Sequence, residues 1–295
     1  MQRTIQRNRK NRHRKLQIGL MAVLLSAAYT TSQTSWASTA SAAASSSASA
    51  YAPGHHHIHD DHTASASASV QWSYMPLKPL AGESTNIRLS ITDEHGRPVR
   101  NFSLNHEKEL HLIAVRSDLS EFQHLHPVDE GAGRFSVDTR FMKGGSYKLF
   151  ADFTPAGEGN QVAQTIVEVG GKAAAAETLV PDKQLLQNVG GTEVSLVADQ
   201  LRAGQETSLR FSFKDGKTGK PAEDMEPYLG AAGHVVIISD NLAHYLHVHP
   251  KEGQTIGPEA AFETTFPAPG IYKIWGQFQR HGDNFIASYT IKVGE

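Results

Sequence analysis

The sequence contains no cysteine. That excludes disulfides, thiolate ligands, thiol nucleophiles and the acylated cysteine of a lipoprotein. Any metal must be taken by histidine, carboxylate, thioether or backbone oxygen. Catalytic signatures are also missing, with no Gly-x-Ser-x-Gly, no glycine-rich phosphate loop and no His-Glu-x-x-His. Elbow-type acyl transfer, nucleotide cradling and zincin chemistry therefore have no foothold, and the chain reads as a non-enzyme. Beyond residue 29 no run is long and apolar enough to cross a bilayer. No window shows a persuasive helical period either, 183–188 offering at most a single turn.

What is present begins with a basic segment, "MQRTIQRNRKNRHRK", followed by the short apolar run "LQIGLMAVLLSAAY" and small residues. This order predicts a secretory signal peptide over 1–40 and hence a secreted or extracytoplasmic protein with no membrane insertion after cleavage. Seven of the 28 basic residues lie in that segment and no acidic ones do, which leaves 21 against 30 acidic residues and a charge of −9 for the remainder. Such a surface disfavours nucleic acid and mildly favours cations. Residues 41–69 are mostly Ala, Ser and Thr, too poor in apolar surface to offset ordering, and read as a disordered arm. Within it "HHHIHDDH" places His55, His56, His57, His59 and His62 beside Asp60 and Asp61. A short tract of this composition captures Zn, Cu or Ni.

The chain then repeats itself. "LAGESTNIRLSI" (80–91) matches "RAGQETSLRFSF" (202–213), and "HLIAVRSDLSEFQHLHP" (111–127) matches "HVVIISDNLAHYLHVHP" (234–250) without a gap. "GGSYKLFADF" (144–153) matches "APGIYKIWGQF" (268–278). These matches predict two modules, 70–170 and 185–295, joined by a linker at 171–184. Inside each the period is two: Ile87, Leu89 and Ile91 share a face, as do Leu209, Phe211 and Phe213. Short strands separated by turn signals such as "DEHGRP", "DGKTGKP" and "RHGDN" predict an all-β protein of two tandem immunoglobulin-like antiparallel β-sandwiches.

Each module carries His-x12-His-x-His-Pro: His111, His124 and His126 in the first, His234, His247 and His249 in the second. The first histidine opens one strand and the other two close the next. A tight hairpin centred on Asp240-Asn241 would set His234 directly opposite His247, roughly 5 Å apart at Cβ. His249 would fall on the same face. Three imidazoles at that separation suit Zn(II) or Cu(II), giving one site per module. Strand-end histidines also serve as packing groups bonded to a loop carbonyl, and a duplication copies structural features as faithfully as functional ones. His106 and His244 lack counterparts, and His244 could join the cluster as an extra ligand. Asp224, Met225 and Glu226 precede the second ligand strand, with Met225 expected in the core. His95 and His281 sit in turns, and Tyr147 and Tyr272 in "GSYK" and "GIYK" are suited to pinning a sandwich corner.

The blocks "YLGAAGHVVIISDNLAHYLHVHP" and "HLHP" resemble exported bacterial proteins with paired YtkA-like modules, over about residues 70–295. The first module departs from the pattern, with "NHEKELH" where the second has "YLGAAGH". The resemblance implies an immunoglobulin-like fold and an association with copper or another heavy metal. The expected function is metal binding, for copper or zinc homeostasis or delivery, with a cell-surface or membrane metal-handling protein as the partner. The alternative is an extracellular interaction module whose histidines are structural and hold no metal.

Overall fold

Period-two segments bury alternate side chains, and each copy solves this by stacking two antiparallel sheets. The computed structural model describes residues 67–172, 175–248, 250, 254 and 256–295. The segment read as a signal peptide, the histidines His55, His56, His57, His59 and His62, and His249 lie outside the described residues. The first module comprises β1 (Ala68–Met75), β2 (Ser84–Asp93), β3 (Leu110–Arg116), β4 (Phe122–Leu125), β5 (Val128–Gly131), β6 (Arg134–Arg140), β7 (Gly145–Phe153) and β8 (Gln161–Val169). Its sheets run β1-β2-β6-β5 and β4-β3-β7-β8. The second comprises β9 (Leu186–Val189), β10 (Thr192–Ala198), β11 (Glu206–Asp215), β12 (Met225–Glu226), β13 (His234–Ser239), β14 (Tyr245–Val248), β15 (Glu259–Thr265), β16 (Gly270–Arg280) and β17 (Asp283–Val293). Here β15-β11-β10-β9 faces a sheet in which β16 pairs with β12, β13 and β17, and β14 pairs with β13. The described residues contain no helix, and the turn expected at 183–188 is replaced by the start of β9.

Both predicted inward faces are buried. Ile87, Leu89 and Ile91 join Leu112, Phe135 and Leu149 in one core, while Leu209, Phe211 and Phe213 join Val235, Phe262 and Phe278 in the other. Met225 packs into the second core, as expected. A Cβ on Gly233 would lie 2.5 Å from the Phe278 ring, so the residue before His234 must stay bare for β13 to settle on β16. Tyr147 and Tyr272 pin equivalent corners, each hydroxyl donating over 2.8 Å to a carbonyl four residues earlier, Lys143 and Ala268. Tyr272→Phe should therefore cost about 1 kcal/mol in urea unfolding, one net hydrogen bond, with no change of fold.

Strands β3 and β13 are buried along their whole lengths. Their inward residues fill their own cores. Their outward residues meet each other in a third cluster, in which Ile113, Val115, Leu119 and Phe150 pack on Val236, Ile238 and Trp275. The contact is pseudo-symmetric. Phe122 stacks on Trp275 with ring centroids 4.6 Å apart, and Phe150 stacks on Tyr245 at the same 4.6 Å and the same 13° tilt. In the repeat alignment Phe122 corresponds to Tyr245 and Phe150 to Trp275. Each stack is thus the other with the modules exchanged, the arrangement of an isologous dimer built from one chain. Such stacks add about 0.5–1.5 kcal/mol beyond the area they bury. Lys148 also crosses the contact, donating from Nζ to the Leu242 carbonyl at 2.7 Å.

Candidate metal centre

The second hairpin differs from expectation by two residues of register, while the first turns over 117–120 as expected. In the second module His247 lies opposite Val236, and in the first His124 lies opposite Ile113. The reason is the loop. Ser239 N–H donates to the His244 carbonyl at 3.0 Å, leaving four residues between them, and Leu242 takes a positive φ of 59° to close the turn. Ser239 Oγ receives the His244 N–H at 2.9 Å, and Asn241 Oδ1 receives the Ala243 N–H at 3.0 Å. This Ser–Asn framework favours the longer connection over a tight two-residue turn. His234 and His247 still share a face, diagonally, with ring centroids 5.9 Å apart.

That face is the outward one, which corrects the expectation of one site per module. His111, His124 and His126 of the first module and His234 and His247 of the second converge on a single cluster at the module contact. His111 lies 5.0 Å from His124, 5.2 Å from His126, 6.0 Å from His234 and 5.0 Å from His247, ring centre to ring centre. His106, which has no counterpart in the repeat, joins them 4.4 Å from His234. One ring nitrogen from each of His111, His124 and His247 lies within 4.8 Å of the other two.

Fixed acceptors set the tautomers. His111 Nε2 lies 2.8 Å from the Asn105 carbonyl, which only accepts, so the proton is on Nε2 and Nδ1 offers a lone pair. His247 Nδ1 donates to Asp152 Oδ2 at 2.9 Å, which leaves Nε2 as its ligating nitrogen. His124 Nδ1 meets Gln277 Oε1, and its Nε2 lies 2.8 Å from His111 Nδ1. An ion about 2.0–2.1 Å from two nitrogens holds them roughly 2.9–3.4 Å apart. The two rings already stand near that separation. An all-nitrogen donor set suits Zn(II), Cu(II) or Ni(II) and is wrong for Ca(II) or Mg(II), which take oxygen.

Burial favours the neutral form of four of the imidazoles. Burial pushes His106 and His126 down to about 4, reinforced for His126 by Lys108 and for both by the neighbouring His247. Burial and then His247 also lower His111 and His124. For Asp152, burial raises the carboxyl, but the hydrogen bond from His247 and the proximity of the His247 and His111 rings outweigh it and hold it below the usual range. Neutral rings at His106, His111, His124 and His126 are in the protonation state that ligation requires.

The remaining candidates are spread elsewhere. His244 faces Tyr272 at 6.4 Å rather than joining the cluster. His281 is exposed, with Nε2 2.6 Å from Asp224. His95 is exposed beside Glu94. The sequence pattern singles out neither His106 as a member of the cluster nor Asp152, Gln277 and Tyr245. Asp152 and Gln277 occupy equivalent repeat positions, each beside its own module's first histidine on the neighbouring strand, and that juxtaposition was the available signal.

No curated protein matches the chain. Among solved structures it is similar to the Escherichia coli adhesin FdeC (18% identity, 77% of this chain and 64% of that one, TM-score 0.25). It is also similar to the Yersinia pseudotuberculosis adhesin InvE (12%, 75% and 58%, TM-score 0.25). A two-domain fibronectin type III segment of chicken tenascin gives 13% identity over 76% of this chain and 98% of that one, at a TM-score of 0.22. The chain spans 64% and 58% of the first two. Two matches to one family model together cover most of the sequence: the chain belongs to the family described as a domain of unknown function, DUF8832, matched at residues 64–171 and 187–295.

Proposed function

We propose that the protein binds a transition metal ion, copper or zinc, at one centre shared by its two modules, and acts outside the cytoplasm in copper or zinc homeostasis or delivery. The observation that carries this reading is the convergence of His111, His124 and His247, from three strands and both modules, with ring nitrogens within 4.8 Å of one another. The donor chemistry agrees with the heavy-metal association implied by the likeness to YtkA-like modules, and the basic, apolar N-terminus agrees with export. His126 and His234 line the same cluster. The arm histidines, His55, His56, His57, His59 and His62, are the capture tract that feeds it, and a cell-surface or membrane metal-handling protein is the recipient.

The test uses the full chain with all five arm histidines changed to alanine. It should retain one Zn(II) or Cu(II) by calorimetric titration, and adding His247→Ala should abolish that binding. Elemental analysis of protein purified without metal resin should find the same stoichiometry.

One set of contacts favours a second reading. The hydrogen bonds of His247 with Asp152 and of His124 with Gln277 cross between modules and would tie the sandwiches together without an ion. The chain is then an extracellular interaction module with structural histidines. That reading requires His247→Ala to lower stability while the arm-substituted chain binds neither ion before or after the change.

A further inference from the structure

Asp152 and Gln277 occupy the same place in the two repeats and perform mirrored contacts. Asp152, on β7 of the first module, accepts from His247 Nδ1 of the second at 2.9 Å. Gln277, on β16 of the second module, meets His124 Nδ1 of the first. Both are nearly buried, at 2% and 7% exposure, where a polar group without a role is costly. We propose that Asp152 and Gln277 are the positioning residues of the metal centre, each orienting a ligand of the opposite module, so that ion binding and module docking are one coupled event.

This rests on the metal reading above. The two residues are chemically unequal, and the inequality has a use. A carboxylate can only accept, so Asp152 fixes His247 with Nε2 directed away from it. A carboxamide can turn. With Oε1 toward His124 it holds the proton on Nδ1 and releases Nε2 to an ion. With its NH2 toward His124 the proton moves to Nε2, which then donates to His111 Nδ1 across the existing 2.8 Å contact. The same side chain thus satisfies both the loaded and the metal-free pair. The ligands come from both modules and each orienting group lies across the contact. The centre is therefore complete only in the docked arrangement, and by linkage the ion must favour that arrangement in return.

The decisive variants are Gln277→Leu, nearly isosteric and uncharged, and Gln277→Glu, which keeps the acceptor. Both are made in the full chain with the five arm histidines replaced by alanine. Zn(II) affinity is read by competition with a chromophoric chelator. In parallel, spin labels at Glu94→Cys and Lys217→Cys, one in each module and both at exposed positions, report the intermodule distance distribution. The absence of native cysteine makes the labelling selective. Gln277→Leu should lose 10- to 100-fold in affinity, the usual cost of removing an orienting partner. Gln277→Glu should restore it, and Zn(II) should narrow the distance distribution of the parent but not of Gln277→Leu. If Gln277→Leu does not fold, Gln277→Met gives the same measurement. A Gln277→Leu chain that binds Zn(II) as tightly as the parent, or a parent distribution unchanged by saturating Zn(II), overturns the proposal. A parent that takes up no Zn(II) overturns the metal reading itself, a distinguishable result.

Discussion

Replacing Trp275 with alanine is expected to uncouple the two modules while leaving each one folded. Trp275 is 4% exposed yet lies outside its own module's core cluster, which its neighbour Ile274 joins. The indole stacks on Phe122 of the other module and closes a cluster that holds Val115 and Ile238. Removing a buried indole costs about 3–5 kcal/mol through lost contacts and the cavity left behind. Here the loss falls on the contact between modules rather than on either core. The parent is expected to unfold in one urea transition and the variant in two, and amides of β3 and β13 in the variant should exchange faster than those of β2 and β11. His124 and His247 would no longer be held together, so Zn(II) affinity should drop as well. One cooperative transition at the parent's midpoint would show that the contact contributes little.

Acidification should open the metal-free protein between about pH 6.5 and pH 4. His106 and His126 are pushed down to about 4, and His111 and His124 are also lowered, all mainly by burial. The unfolded chain takes up protons near 6.5, the folded one only near 4. Within that window the unfolded state binds more protons, so stability rises with pH and is lost as pH falls. The full benefit is present above about 6.5, and below about 4 nothing further is lost through these two groups. The groups facing them are Asp152, which opposes the shift in His106, and His247 and Lys108, which reinforce it. Each proton is worth about 1.4 kcal/mol per pH unit. Because His106 and His126 reach solvent in part, a combined slope of about 2 kcal/mol per pH unit is a fair expectation. Urea midpoints measured from pH 7.5 to 4 check it, and a flat profile would contradict the neutral, buried state of the cluster. Saturating Zn(II) at a hundred times its dissociation constant should add about 2.7 kcal/mol at neutral pH, an effect that fades on the acid side as ligands protonate.

The sandwich fold was readable because burial on one face imposes a period of two, and Ile87-x-Leu89-x-Ile91 cannot satisfy it any other way. The triplets were readable because the duplication set them in register. Their meeting place was not. A two-residue hairpin and a four-residue one leave the same residues on a face and differ only in who stands opposite whom. That choice was made by Ser239 and Asn241, whose side chains bond the loop backbone. The unbroken apolar runs "HLIAV" and "HVVII" carried the clue that the outer faces of β3 and β13 are covered, but no local pattern says that they cover one another. Asp152 and Gln277 escaped notice because unlike residues stand at one repeat position.

A patch that complements its own duplicate is a dimer contact with both halves on one string. Between Gly170 and Gln184 the described residues are mostly exposed, so the string runs over the surface. While it is intact, each patch sees its mate at an effective concentration in the millimolar range, and dilution does not part them. A single proteolytic nick there would hand the assembly over to mass action, and the pair would then come apart on dilution like any two free subunits.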